Sequence, residues 1–254
     1  MRRVGILAAS ALAEQWRSRA YQVALLFAGL MISFSVLFGM LAVDQELRAL
    51  LDFGLAFIEL LALATAIFAA ATGILREMET KSIYLILARP VSRLEYLLGR
   101  YLGLLLSMLA AVAAMAVVHV SLLAARGWAW RADYLLALFG IALKVAVAAA
   151  VATFFALFST SALSALVITA IVWALGHFVA EMTFLARGGG WLAAPLAVVT
   201  RLLPDLQLLD FRDRLGVPSP PAAGEPVLFA AAYAAVYCAA CLALAYALIR
   251  RKDL

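Results

Sequence analysis

The sequence predicts an all-α polytopic membrane protein, a single domain over residues 1–254 with six transmembrane helices. Three observations carry that prediction. Apolar residues make up 67% of the chain and charged residues 14%, against about 45–50% and about 25% in soluble domains. The apolar residues come in blocks rather than amphipathic stripes, and blocks of about 20 cross a bilayer as helices. Helices also satisfy their backbone groups internally in lipid, and these blocks are too long for barrel strands.

Residues 1–20 precede the first block. "MRRVGILAASALAEQ" mimics a secretory signal, with a basic start, a short apolar run and an Ala11-Leu12-Ala13 cleavage look-alike. The apolar run is too short, and the basic Trp16-Arg17-Ser18-Arg19 that follows has no place after a cleavage site. We expect a cytoplasmic amphipathic helix with Trp16 near the interface. The spans then read Tyr21–Ala42, Phe53–Leu75, Leu97–Ala125, Tyr134–Phe158, Ala162–Leu185 and Val227–Ile249. Gly29, Gly73, Gly140 and Gly176 recur within them, and Gly99 and Gly103 open span three. Small residues let helices approach closely in lipid, where no hydrophobic effect drives association.

An even number of spans puts both ends on one side, and the basic residues choose that side. Twelve fall on the side of the termini and the connector after span two: Arg2, Arg3, Arg17, Arg19, Arg76, Lys81, Arg89, Arg93, Arg100, Arg250, Arg251 and Lys252. Seven fall on the other: Arg48, Arg126, Arg131, Arg187, Arg201, Arg212 and Arg214. The positive-inside rule places both termini in the cytoplasm. The net charge of +5 is mostly this asymmetry and is a poor argument for nucleic acid.

Residues 43–52 and 126–133 read as short external turns, and Ser159-Thr160-Ser161 as a tight cytoplasmic one that makes spans four and five antiparallel neighbours. Two connectors are long. The external one, residues 187–226, opens on Gly188-Gly189-Gly190, is apolar in its middle, and is broken by Pro195 and Pro204. It cannot span, so short helices at the outer surface or capping the bundle are expected.

The cytoplasmic connector, residues 76–96, contains "ETKSIYLILARPVSRLEY". Pro90 stops a helix through Ile83–Leu87 near Ala88. Ser92-Arg93-Leu94-Glu95 then has the form of a capping box, so a new helix starts at Arg93 and enters span three. The apolar residues of the first half point almost all round, which suits a segment wedged between membrane and protein. The residues alone leave two readings open: an elbow that merely orients span three, or a surface built for a partner.

"REMETKSIYLILARPVSRLEYLLGRYLG" resembles the cytoplasmic connector of ABC-2-type permeases, the membrane subunits of type V ABC transporters. "LLPDLQLLDFRD" looks like the external segment of the subgroup that includes permeases of nitrous-oxide-reductase maturation and of gliding machinery. The resemblance implies that the connector is a coupling helix docking on an ATPase. Carried over residue by residue, the docking set is Glu77, Glu79, Lys81, Ile83, Leu87, Arg89, Pro90, Ser92 and Arg93. Lys81 departs from the pattern, standing where glycine is common. The resemblance further implies two permeases with two ATPase subunits, a bacterial inner-membrane location, and export or mechanical signalling as the output. A periplasmic partner would fit the subgroup.

This sequence contains no Gly-x-x-x-x-Gly-Lys-Ser/Thr loop. ATP and Mg are therefore expected on a separate ATPase chain, with no cofactor and no metal on this one. A membrane enzyme is disfavoured, since neither His-Glu-x-x-His nor Gly-x-Ser-x-Gly occurs. A scaffold or assembly factor without transport remains the alternative.

Three intramembrane features invite chemistry. Glu59 and Lys144 lie at comparable depth in the external half of spans two and four. A charge at mid-bilayer costs about 2.5–3.5 kcal/mol, so they either pair or line a path. His177 and Glu181 share a face of span five, as a hydrogen-bonded helix contact or, less naturally, metal ligands. Cys238-x-x-Cys241 in span six reads as two small packing residues, with thiol chemistry the alternative.

Overall fold

The computed structural model describes residues 2–17, 19–41, 46–80, 92–189, 191, 193–212, 215 and 224–251. Among them every regular element is helical, in chain order α1 (Arg2–Arg17), α2 (Arg19–Leu41), α3 (Glu46–Glu79), α4 (Arg93–Ala125), α5 (Asp133–Phe158), α6 (Ala162–Gly176), α7 (Val179–Arg187), α8 (Ala193–Leu202), a 3₁₀ turn (Gln207–Leu209) and α9 (Gly224–Arg251). By length and composition α3, α4, α5 and α9 can each cross a membrane, and α6 with α7 makes a fifth span if the bent pair counts as one. α2 covers the first predicted span, but its described apolar stretch, Leu25–Phe34, is shorter.

Local chemistry sets the helix ends. α4 begins on the capping box: Ser92 Oγ accepts from the Glu95 N–H at 3.1 Å, and Glu95 Oε2 accepts from the Ser92 N–H at 2.8 Å. Two orphan donors of the first turn are thus satisfied reciprocally. At the α5–α6 turn, Ser161 Oγ caps Ser164 N–H at 3.2 Å, and the Ser159 N–H returns to Phe155 O at 2.8 Å. The second span starts earlier than the sequence suggested, since α3 extends out to Glu46, which pairs with Arg126 at the end of α4.

α5 is the central helix. Its most apolar window is 61% buried, against 17% for α9, which is the peripheral one. Around α5 pack α3, α4, α6 and α9, and its run Ala148, Ala149, Ala150 and Ala152 is buried. Small side chains at a helix centre permit this close approach on several sides. α1 lies along the start of α4, where Gly99 and Gly103 leave it room. A Cβ on Gly99 would sit 2.5 Å from Leu7 Cβ, and one on Gly103 would sit 2.5 Å from Ala11 Cβ and 2.7 Å from Ala8 O. The Gly-x-x-x-Gly signal thus serves the N-terminal helix.

The fifth span departs from the sequence expectation of one helix over Ala162–Leu185. It breaks after Gly176, and α7 leaves α6 at 61°. At 15 residues, or about 22 Å at 1.5 Å per residue, α6 is too short for a hydrocarbon core of about 30 Å. The break persists because donors from elsewhere take the carbonyls a continuous helix would use. Leu206 N–H donates to Gly176 O at 3.0 Å, and Gln207 Nε2 donates to His177 O at 2.6 Å. A buried helix end needs such partners.

Those donors belong to residues 203–212, a strap lying across the end of the bundle opposite the connector between α3 and α4. Gly176 and Gly140 are its seats: a Cβ on Gly176 would meet Pro204 O at 2.7 Å, and one on Gly140 would collide with Leu209 O and Phe211. These two glycines admit the strap, whereas the sequence suggested helix–helix contacts. Its own Leu206, Leu209 and Phe211 are buried against the bundle. The strap is also held to α9, where Tyr233 Oη accepts from the Asp205 N–H at 2.8 Å, and Tyr237 Oη donates to Leu202 O at the end of α8 at 2.9 Å.

Candidate functional site

Two polar clusters interrupt the apolar bundle, one at each end. One cluster flanks the connector between α3 and α4. Lys81, Ile83, Leu87, Arg89 and Pro90 lie outside the described residues, and Glu79 is the last residue of α3. Glu77, two residues back, faces inward: Oε1 is 2.6 Å from Arg100 Nη2, and the carboxylate accepts from Tyr96 Oη. Arg100 also reaches Glu14 of α1, 2.8 Å away. One guanidinium therefore clamps the end of α3 and the side of α1 to the start of α4. Its planar fork of donors suits two carboxylates at once.

Arg93, the first residue of α4, turns toward α9. Its Nη1 donates to Ile249 O at 2.7 Å and to Arg250 O at 3.0 Å. The last carbonyls of a helix lack intrahelical partners and carry the negative end of its dipole, so a cation there is favourable. Beneath these contacts Ile74, Tyr96, Leu97, Ala156, Leu157, Ala245 and Ile249 form one apolar layer joining α3, α4, α5 and α9. Glu77, Ser92 and Arg93 thus all have partners within the chain.

The second cluster lies toward the opposite end of the bundle. Lys144 of α5 is 1% exposed and Glu59 of α3 is 4% exposed, and Nζ is 2.8 Å from Glu59 Oε1. The two do not form a simple pair. Lys144 Nζ is equally 2.8 Å from Asp210 Oδ2, and Arg212 Nη2 is 2.7 Å from that oxygen and 3.2 Å from Glu59 Oε2. His177 Nε2, at the break of the fifth span, is 3.5 Å from Glu59 Oε1, while its Nδ1 faces Trp173 O at 3.0 Å. Two carboxylates, one ammonium and one guanidinium balance, which is how buried charge is tolerated. Burial tends to raise the Asp210 carboxyl, but the Arg212 guanidinium and Lys144 ammonium outweigh it and hold it well below the usual carboxylate range.

Glu181 does not join His177. It accepts instead from Gln207 Nε2 at 3.0 and 3.2 Å, so both residues serve the strap. Among the described residues no three His, Cys, Asp or Glu side chains converge as around a metal ion. Cys238 is buried, Cys241 partly so, and both are free thiols.

Sequence reasoning missed Asp210, Arg212 and Gln207, although "LQLLDFRD" shows acid–base neighbours inside an apolar run. It also missed His119, fully buried near the C-terminal end of α4. That ring meets Tyr134 Oη at 2.9 Å and Leu50 O at 3.2 Å, and Gly54 supplies its space, since a Cβ there would overlap the imidazole.

The comparisons give one family. Residues 41–247 match the model described as ABC-2 family transporter protein. No curated protein matches the chain.

Proposed function

The chain belongs to the ABC-2 family of transporter proteins, and on that premise we propose that it is the permease subunit of a type V ABC transporter. ATP is hydrolysed by a separate ATPase subunit, which docks on the connector between α3 and α4. Two permeases and two ATPases form the working unit in the inner membrane, with six spans per permease and both termini cytoplasmic. Closure of the ATPase pair moves the connectors and tilts the helices, driving export or a mechanical signal to a periplasmic partner. The subgroup of nitrous-oxide-reductase maturation and gliding permeases is the nearest fit.

The observation that carries this reading is the extent of the family match, which runs from the end of α2 to the last turns of α9 and so includes the whole connector. The basic asymmetry supports the orientation. The capped start of α4 supports a firm mounting for the connector, because a rigid helix end transmits force where a frayed one does not.

The test is co-purification. The permease, co-expressed with a candidate ABC ATPase from the same genome, should retain that ATPase through detergent extraction and size exclusion. Arg89→Glu or Pro90→Ala should lower ATPase retention or uncouple its hydrolysis from the permease. A permease that binds no ATPase would be a scaffold or assembly factor instead.

A further inference from the structure

We infer that Arg93 is a positioning residue that ties the start of α4 to the end of α9, making α9 a rod between the connector and the external strap. The transmission half of this inference rests on the ATPase-docking reading above; the tie itself does not.

The geometry has three parts. The capping box fixes the first turn of α4 and with it the direction of Arg93. The guanidinium then holds the carbonyls of Ile249 and Arg250, more than 150 residues away in the chain. Nearer the middle of α9, Tyr233 bonds Asp205 of the strap and Tyr237 bonds Leu202 just before it, and the strap in turn occupies the break of the fifth span. α9 is otherwise the least buried of the long helices. α9 packs on α5 along its length, and as a stiff helix bonded at its last turn and again at Tyr233 and Tyr237 it carries a displacement of that last turn to the strap. Arg100 cannot substitute, because its carboxylate partners lie on α1 and α3.

This assigns Arg93 a role within the permease, although it sits beside the docking surface. A contact to the ATPase and a tie to α9 predict different outcomes. The experiment uses full-length permease in nanodiscs with Cys238 and Cys241 replaced by alanine. Spin labels at Leu94→Cys and Leu244→Cys read the cytoplasmic ends of α4 and α9; labels at Leu135→Cys and Leu228→Cys read the outer end. Excess unlabelled chain restricts the reading to pairs within one chain.

In the permease alone, Arg93→Ala should broaden the Leu94–Leu244 distance distribution, and Arg93→Lys, which keeps a cation at the end of α9, should narrow it again. An unchanged width in Arg93→Ala overturns the tie. With the ATPase bound, ATP and vanadate should shift the outer distance in the parent chain; Arg93→Ala should retain the ATPase and lose that shift. A shift that survives in Arg93→Ala overturns the rod, and loss of the ATPase from both variants makes Arg93 a docking residue. A parent permease that binds no ATPase sinks the functional reading and the transmission with it, and leaves the tie to be judged by the first pair of labels.

Discussion

Replacing Lys144 by methionine removes the charge at the centre of the outer cluster while keeping most of the side-chain volume. The ammonium is fully buried and makes two contacts of 2.8 Å, to Glu59 and Asp210. Removing one partner of a buried ion pair costs about 3–5 kcal/mol. Arg212 remains beside both carboxylates, and the Asp210 side chain keeps 22% of its exposure, so the low end, about 3 kcal/mol, is the better figure. For a chain of this size, that corresponds to a fall in Tm of about 6–12 °C. Thermal unfolding in detergent, followed by fluorescence-detected size exclusion, measures it. Glu59→Gln should also destabilise, and the double variant should lose less than the sum of the two by about 1–3 kcal/mol. Additive losses, or a Lys144→Met protein as stable as its parent, would refute the reasoning.

The cluster also sets a pH dependence. Asp210 is held below its unfolded pKa, so its stabilisation is fully present above about pH 4 and is lost as pH falls toward the lower folded value. The Tm difference between the parent and Asp210→Asn should stay constant from pH 8 to pH 5; a gap that closes within that window would contradict the assignment. Gly103→Val drives a side chain into Ala8 and Ala11 and should cost about 1–3 kcal/mol by overpacking. It should also expose α1 to limited proteolysis, and an unchanged digestion pattern would argue against the packing of α1. Gly54→Ala should displace the His119 ring and destabilise by about 1–3 kcal/mol through its lost hydrogen bonds. The same change in a His119→Ala background should be much milder, and equal losses in the two backgrounds would count against the contact.

What could be read from the sequence was what is local. The capping box at Ser92 and Glu95 depends on residues three apart, and α4 begins where it says. The apolar blocks mark α3, α4, α5 and α9 because burial in lipid needs only length and composition. Glu59 and Lys144 could be matched by depth, since each is an isolated charge in an apolar helix. Their further partners could not, because Asp210 and Arg212 reach them through the path of the strap, 66 residues beyond Lys144. The break at Gly176 was hidden for the same reason. Nothing in "WALGHFVAEM" stops a helix; the bend depends on donors about 30 residues further on. The Gly99 and Gly103 spacing announced a close contact but could not name α1 as its other half.

The strap brings the outer cluster one carboxylate and one guanidinium, Asp210 and Arg212, to meet one carboxylate and one ammonium in the bundle. A displaced elementary charge couples to a membrane potential at about 2.3 kcal/mol per 100 mV. Withdrawing Asp210 and Arg212 together moves no net charge through that field, and Asp213 and Arg214 after them also sum to zero. Lifting this part of the strap is therefore electrically silent. The membrane voltage exerts no net force on these two charges when they move together.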